Sequence, residues 1–203
     1  MTAQLGQSVV IENRPGAAGS IAAGELAKSA PDGYRLLMVA SGTFIHDVLS
    51  ANMSYSLERD FAPISLVTIS PLVLVIHPSL PARSVNDLVV FARSRPVQLR
   101  LAVRSIKRSS LAPSLPTLDE SGLRGYNLIA WFGVLAPAGT PKSIVDRLNA
   151  VIANVAGSPD AKETVGKQGL EIEISSPEQF AAFMRESVTQ ISRLGKEANI
   201  KLE

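Results

Sequence analysis

Val9-Val10-Ile11-Glu12-Asn13-Arg14-Pro15-Gly16-Ala17-Ala18-Gly19-Ser20 is the stretch on which the fold reading turns. Its three opening β-branched residues suit a short strand. Asn13-Arg14-Pro15-Gly16 then supplies turn chemistry, and Gly19-Ser20 opens a small-residue helix reaching about to Lys28. Ala30-Pro31-Asp32-Gly33 stops that helix, and the apolar run Leu36 to Val39 follows. Strand, helix and strand in this order predict an α/β fold. Val9–Ile11 and Leu36–Val39 are expected as parallel neighbours, with the turns at Arg14–Ser20 and Ser41–Thr43 on one end of the sheet.

Outward from there, two long apolar runs stand out. Ile64 to Ile76 is β-branched with a break at Ser70-Pro71, and Asn127 to Leu135 holds the only tryptophan, Trp131. They are expected to lie alongside one another. Ser84 is a good N-cap for a helix carrying Val85, Leu88, Val89 and Ala92, which Pro96 terminates. Gln98 to Val103 reads as a strand. Thr140-Pro141 starts a helix whose Ile144, Val145, Leu148, Val151, Ile152 and Val155 share one face. Leu170 to Ile174 reads as a closing strand, and Ser176-Pro177-Glu178-Gln179 as a capping box for a last helix burying Phe180, Phe183, Met184, Ser187, Ile191 and Leu194.

A chain of 203 residues, 46% hydrophobic, can bury a core. Its +2 charge is spread among interleaved acids and bases. Arg100, Arg104, Lys107 and Arg108 form the densest basic stretch without stacking aromatics, so nucleic acid is not an expected partner. The absence of cysteine excludes disulfides, thiol nucleophiles and thiolate metal sites. No segment reaches transmembrane length, so no direct membrane insertion is expected. Met1 to Gly6 lack the features of a secretory signal, which by itself predicts a cytoplasmic chain if Met1 is the genuine start.

Catalytic constellations are sparse. The only histidines are His46 and His77, and neither sits in a hydrolase or metalloprotease motif. His77, before Pro78, reads as a structural histidine. A hydrolase pairing His46 with Ser41 has no partner motif behind it. Pro15 to Ser20 exposes backbone N–H groups at a helix N-terminus and suits an anion, although a tight turn and close packing explain its glycines equally well. Ser41, Gly42 and Thr43 follow the Leu36–Val39 strand at its carboxyl end, where crevices of open α/β sheets form. They suit either a carboxylate or a helix cap.

Taken together, these stretches resemble the tripartite tricarboxylate receptors, also called Bug receptors, a family of extracytoplasmic solute-binding proteins. The resemblance rests on Leu5-Gly6-Gln7, Val9 to Gly19, Ala30-Pro31-Asp32-Gly33-Tyr34, Asp60-Phe61-Ala62-Pro63, Pro78-Ser79-Leu80-Pro81, Lys107-Arg108-Ser109, Pro116-Thr117, Trp131-Phe132-Gly133 and Ala136-Pro137-Ala138-Gly139-Thr140-Pro141. These occur in family order over nearly the whole chain.

The resemblance implies an α/β, periplasmic-binding-protein-like, two-lobed fold that closes on a small organic carboxylate for a membrane permease or sensor. It implies no metal or organic cofactor, a periplasmic location, and no enzymatic activity. Against the family pattern the chain starts after the first strand and its ligand loop, and lacks several tens of residues between Pro96 and Val97, leaving an incomplete second lobe. Phe44 stands where the family often has histidine. The expected division is residues 1–70 for the first lobe, 71–130 for the crossing strands and second-lobe remnant, and 131–203 for the return to the first lobe. Ligand-binding positions carried over are Asn13, Arg14, Gly16, Gly19, Ser41, Gly42 and Thr43. The alternative is a nonbinding remnant acting as an interaction module.

Overall fold

The computed structural model describes residues 1–50, 53–70, 72, 74–94, 120–121, 129–197 and 200. In chain order the elements are α1 (Thr2–Leu5), α2 (Ser20–Ala27), β1 (Leu37–Ala40), α3 (Ser41–Leu49), β2 (Phe61–Ser70), α4 (Val85–Ser94), β3 (Ala130–Pro137), α5 (Lys142–Ala156), α6 (Pro159–Lys167), β4 (Glu171–Ile172) and α7 (Pro177–Glu197). The strands form one sheet in the order β1-β3-β2-β4, with every neighbouring pair antiparallel. Helices cover both of its faces. The fold is α/β, as expected.

The two long apolar runs do lie side by side, from Phe61 opposite Pro137 to Ser70 opposite Ala130. Strand β3 is buried on both faces and alternates between two cores. Trp131 and Leu135 enter a core with Val39, Phe44, Phe61, Phe180 and Met184, while Val134 and Ala136 enter one with Val145, Leu148 and Ile152 of α5. Gly133 belongs to the first face, because a Cβ there would lie 2.2 Å from the Phe180 ring. Trp131 meets Phe44, Phe180 and Phe183 edge-on, with ring centroids 4.8, 5.7 and 5.4 Å apart.

Strand β2 keeps both cores supplied through two irregularities in its register, between Pro63 and Ser65 and between Leu66 and Thr68. Each inserts one residue and slips the alternation by one. Ile64 therefore enters the α5 core and Leu66 the opposite one, although they are two residues apart. The disturbed ladder is repaired by side chains. Asn149 of α5 donates to the Ile64 and Ser175 carbonyls at 2.8 Å each, and the Leu66 N–H donates to Ser175 Oγ at 3.0 Å. Buried backbone groups thus keep their partners.

The helix starts follow the expected cap chemistry. Gln179 N–H donates to Ser176 Oγ at 3.1 Å while the Ser176 N–H donates to Gln179 Oε1 at 2.9 Å, a reciprocal capping box. Ser84 Oγ accepts from the Asp87 N–H at 3.1 Å. Phe180, Met184 and Ile191 are buried, and Ser187 and Leu194 half-buried, along α7.

Two expectations fail. Val9–Ile11 forms no strand, and its side chains are 45%, 84% and 85% exposed. Among the described residues β1 has β3 as its neighbour, so the parallel pair is not present. A three-residue strand with no ladder partner and no buried face has nothing to offset its ordering entropy. The first of the two long runs is a strand as far as Ser70, in keeping with the break expected at Ser70-Pro71, and the described residues 72 and 74–76 are not in a strand. The predicted strand Gln98 to Val103 lies outside the described residues.

Candidate ligand site

Backbone geometry sets up the site. Gly16, Ala17, Ala18 and Gly19 have φ of 125°, 44°, 53° and 96°, four consecutive positive values. The two alanines pay about 1–2 kcal/mol each for a left-handed conformation. The turn is held from within by the Gly19 N–H, which donates to the Gly16 carbonyl at 2.9 Å, and from outside by Thr43, whose hydroxyl donates to the Ala18 carbonyl at 2.8 Å. Glycine is required at both ends. A Cβ on Gly19 would lie 2.7 Å from Thr43 Oγ1, and one on Gly16 would lie 2.5 Å from Ile21 Cδ1.

This turn delivers the N-terminus of α2 beside that of α3, which begins at Ser41 directly after β1. Neither N-terminus has a side-chain cap. Thr43, read in the sequence as a possible cap, instead spends its hydroxyl tying the two helices together. The starts of the two helices, with the positive ends of both dipoles, thus lie side by side at one junction, the Gly19 and Ser20 N–H groups being already bonded to the Gly16 and Ala17 carbonyls. Gly42 is exposed, and a Cβ there would meet nothing within 4 Å. The junction is open on that side.

Of the positions carried over from the resemblance, Gly16, Gly19, Ser41, Gly42 and Thr43 come together here. The turns at Gly16–Ser20 and Ser41–Thr43 meet although the parallel strand pair expected to align them does not form. Arg14 precedes the turn, and its guanidinium pairs with Glu12 at 2.7 Å and Glu25 of α2 at 3.5 Å and stays half-exposed. It braces the turn against α2. Asn13, beside it in the chain, is exposed.

Behind the junction lies a polar cluster that the sequence did not announce. The Ser20 hydroxyl donates to Asp47 Oδ1 at 2.6 Å, and the Tyr55 hydroxyl donates to Asp47 Oδ2. His46 Nδ1 is 3.1 Å from Ser20 Oγ and 3.2 Å from Asp47 Oδ1. The Asp47 side chain is 2% exposed. Burial raises the Tyr55 pKa above its ordinary value, and the hydrogen bond to Asp47 raises it further. One signal was readable: Asp47 sits four residues after Thr43 and three after Phe44, placing an acid on the buried stripe of a helix, where an acid needs partners.

The cluster is not a hydrolytic triad. In a triad the serine and the aspartate engage opposite ring nitrogens of the histidine, whereas here both face Nδ1, and the serine is Ser20 rather than Ser41. His77 is exposed, with its Nδ1 2.7 Å from Ser79 Oγ in a local turn. Among the described residues no group of three or more His, Asp or Glu side chains is placed to hold a metal ion, and no helix is long and apolar enough to cross a membrane. A groove between α7 and the Leu57–Pro63 segment is lined mainly by Phe44, Leu57, Phe61, Met184 and Val188. It is apolar and far in character from the junction of the two helix starts.

The family model of the tripartite tricarboxylate transporter family receptor matches residues 1–102 and 98–200. The chain belongs to this family. Members of the family are solute-binding receptors and not enzymes. Protein BugT of Bordetella pertussis is 28% identical over 98% of this chain and 82% of its own length. A UPF0065 protein from the tcbD-tcbE intergenic region of Pseudomonas sp. strain P51 is 25% identical over 96% of this chain and 78% of its own. The aligned stretches, 267 and 261 residues, exceed the 203 residues of this receptor, so it is internally shortened relative to both.

Among solved structures, the periplasmic binding protein BugD superposes with a TM-score of 0.77 at 24% identity, covering 100% of this chain and 90% of that one. Rpa4515 of R. palustris, solved with adipate, gives 0.73 at 25% identity over 98% and 89%. MatC of Rhodopseudomonas palustris, with bound malate, gives 0.75 at 22% over 95% and 89%. The receptor therefore has the periplasmic-binding-protein fold.

Proposed function

We propose that this receptor homologue binds a small organic carboxylate at the junction of α2 and α3, with Gly16, Gly19, Ser41, Gly42 and Thr43 forming the seat and Asn13 and Arg14 its approach. The observation that carries the reading is the meeting of two helix N-termini that have no side-chain caps. The dipole ends of both helices and the first-turn N–H groups of α3 favour an anion there. Malate in MatC and adipate in Rpa4515 are ligands of this chemistry. In this reading residues 1–70 and 131–203 form the first lobe, 71–130 hold the crossing strands and what remains of the second, and the ligand passes in the periplasm to a membrane permease or sensor.

Affinity is expected to be weak. A shortened second lobe leaves much of the ligand in water, and a charge-assisted contact exposed to high dielectric contributes about 1 kcal/mol or less. Such contacts offset little of the several kcal/mol lost on immobilising a ligand. Calorimetry with malate, adipate, citrate and aromatic acids tests this. Saturable binding weaker than about 1 μM, on the scale where that corresponds to about −8 kcal/mol, supports the reading. Submicromolar affinity shows an intact cleft, and no heat with any carboxylate leaves a nonbinding remnant.

A further inference from the structure

The cluster behind the junction assigns a hydrogen to one nitrogen of His46, and this has a consequence for ligand choice. Nδ1 faces Asp47 Oδ1 at 3.2 Å and Ser20 Oγ at 3.1 Å. The carboxylate oxygen only accepts, and the single Ser20 hydrogen is directed to that same oxygen at 2.6 Å. A lone pair on Nδ1 would then face two oxygens with no hydrogen between them. Nδ1 therefore carries the hydrogen, and in the neutral ring Nε2 is a bare acceptor.

The position of the ring follows from helix geometry. Gly42 and His46 are four residues apart on α3, hence on one face, and helical side chains lean back toward the N-terminus. The ring turns toward Ser20 of α2, and because a Cβ on Gly42 would meet nothing within 4 Å, the space beside it at the α3 start is open. Ser20, the first residue of α2, flanks it from the other helix. The His46 side chain is 28% exposed, and among the described residues its recorded polar contacts all run through Nδ1.

We propose that His46 is a specificity-determining residue of this site, its Nε2 accepting a hydrogen bond from a donor carried next to the bound carboxylate, so that the receptor prefers 2-hydroxy acids to acids without the hydroxyl. The proposal rests on the junction being the carboxylate site. The seat favours the carboxylate, and His46 adds an acceptor beside it. A plain methylene in place of the hydroxyl leaves Nε2 unpaired against the ligand, and that asymmetry produces discrimination. For a partly exposed contact the expected preference is about three- to tenfold.

The test compares malate with succinate, which differ by that hydroxyl, by calorimetry on the parent chain and on His46→Asn and His46→Gln. Asparagine keeps an N–H donor near Nδ1 and has no atom at Nε2, whereas glutamine places its amide end near Nε2. The parent is expected to prefer malate, His46→Asn to bind both equally, and His46→Gln to keep part of the preference. Equal parent affinities, or a preference unchanged in His46→Asn, overturn the role of His46 while leaving the carboxylate site standing. Failure of the parent to bind either acid overturns the role of His46, and the carboxylate site falls with it only when adipate, citrate and aromatic acids also give no heat. Nitrogen-15 spectra of the two-histidine chain give an independent reading that needs no variant: the Nδ1–H form of His46 is expected, and the Nε2–H form overturns the proposal.

Discussion

Val9, Val10 and Ile11 are as β-branched as the run from Ile64 to Ile69, yet one stretch is solvent-exposed coil and the other a doubly buried strand. The difference lies in what surrounds them. Strand β2 has β3 on one side, β4 on the other, α5 over one face and α7 over the opposite one. The Val9–Ile11 segment has its recorded hydrogen bond from the Val9 N–H to Thr2 Oγ1, 3.2 Å away, and no sheet neighbour among the described residues. β-propensity describes fitness for a pleated, half-buried surface, and the surface must exist for the propensity to act.

The strongest way to break this comparison is to make one substitution in both places. Ile64 is fully buried in the α5 core. Ile64→Ala is expected to cost about 2–5 kcal/mol, transfer and cavity terms together. Urea denaturation followed by circular dichroism measures it. A cost below about 1 kcal/mol, the range of well-tolerated core swaps, would show that the bulge around Ile64 relaxes to refill the space.

Gly19→Ala moves the comparison to the ligand junction. An alanine at φ 96° is strained, and its Cβ would press on Thr43 Oγ1 at 2.7 Å. The expected loss of stability is about 1–3 kcal/mol from backbone strain. Carboxylate binding should weaken as well, because relief of that contact parts α2 from α3. Unchanged binding in a folded Gly19→Ala chain would remove the junction as the seat.

Tyr55→Phe probes the cluster under the junction. It leaves the buried Asp47 Oδ2 without its donor, at an expected cost of about 1–3 kcal/mol. It also changes the alkaline response. The Tyr55 pKa is raised in the folded chain, first by burial and then by Asp47, so above about pH 10, the ordinary tyrosine value, the unfolded chain releases a proton that the folded chain keeps. The contribution is present in full below that pH and is lost as pH rises beyond it. The parent should therefore lose stability above about pH 10 faster than Tyr55→Phe does, in paired melting curves. Parallel curves would place the phenol in water.

Legibility in the sequence follows the same division between what is local and what needs a partner. The α5 face, the Ser176–Gln179 capping box and the Ser84 cap are encoded within a few residues, and all were readable. The pairing of the two long runs was readable because each is too apolar to face water. The bulges of β2 were not, since they depend on Asn149 and Ser175 arriving from elsewhere to satisfy the ladder. At the junction, the glycine turn and the Ser41–Thr43 entry drew notice, but not the use of Thr43 as a tie. Ser20, Asp47 and Tyr55 went unread as a group because nothing in their spacing shows that their hydroxyls and carboxylate converge.

The smallest effect is expected where the two regions differ most. Ile11 is 85% exposed, so Ile11→Ala removes methylene groups already in water and leaves no cavity behind. The transfer term that dominates at Ile64 vanishes, and the cavity term with it. What remains is a small change in backbone propensity, and the cost should fall within about 0.5 kcal/mol, as for ordinary surface positions. The same urea titration that measures Ile64→Ala measures this. The informative quantity is the ratio of the two costs, because it is insensitive to the reference chosen for the unfolded chain. A loss above about 1 kcal/mol, well outside the surface range, would mean that Ile11 is covered in solution. Val9–Ile11 would then be a strand with a partner, as its composition first suggested.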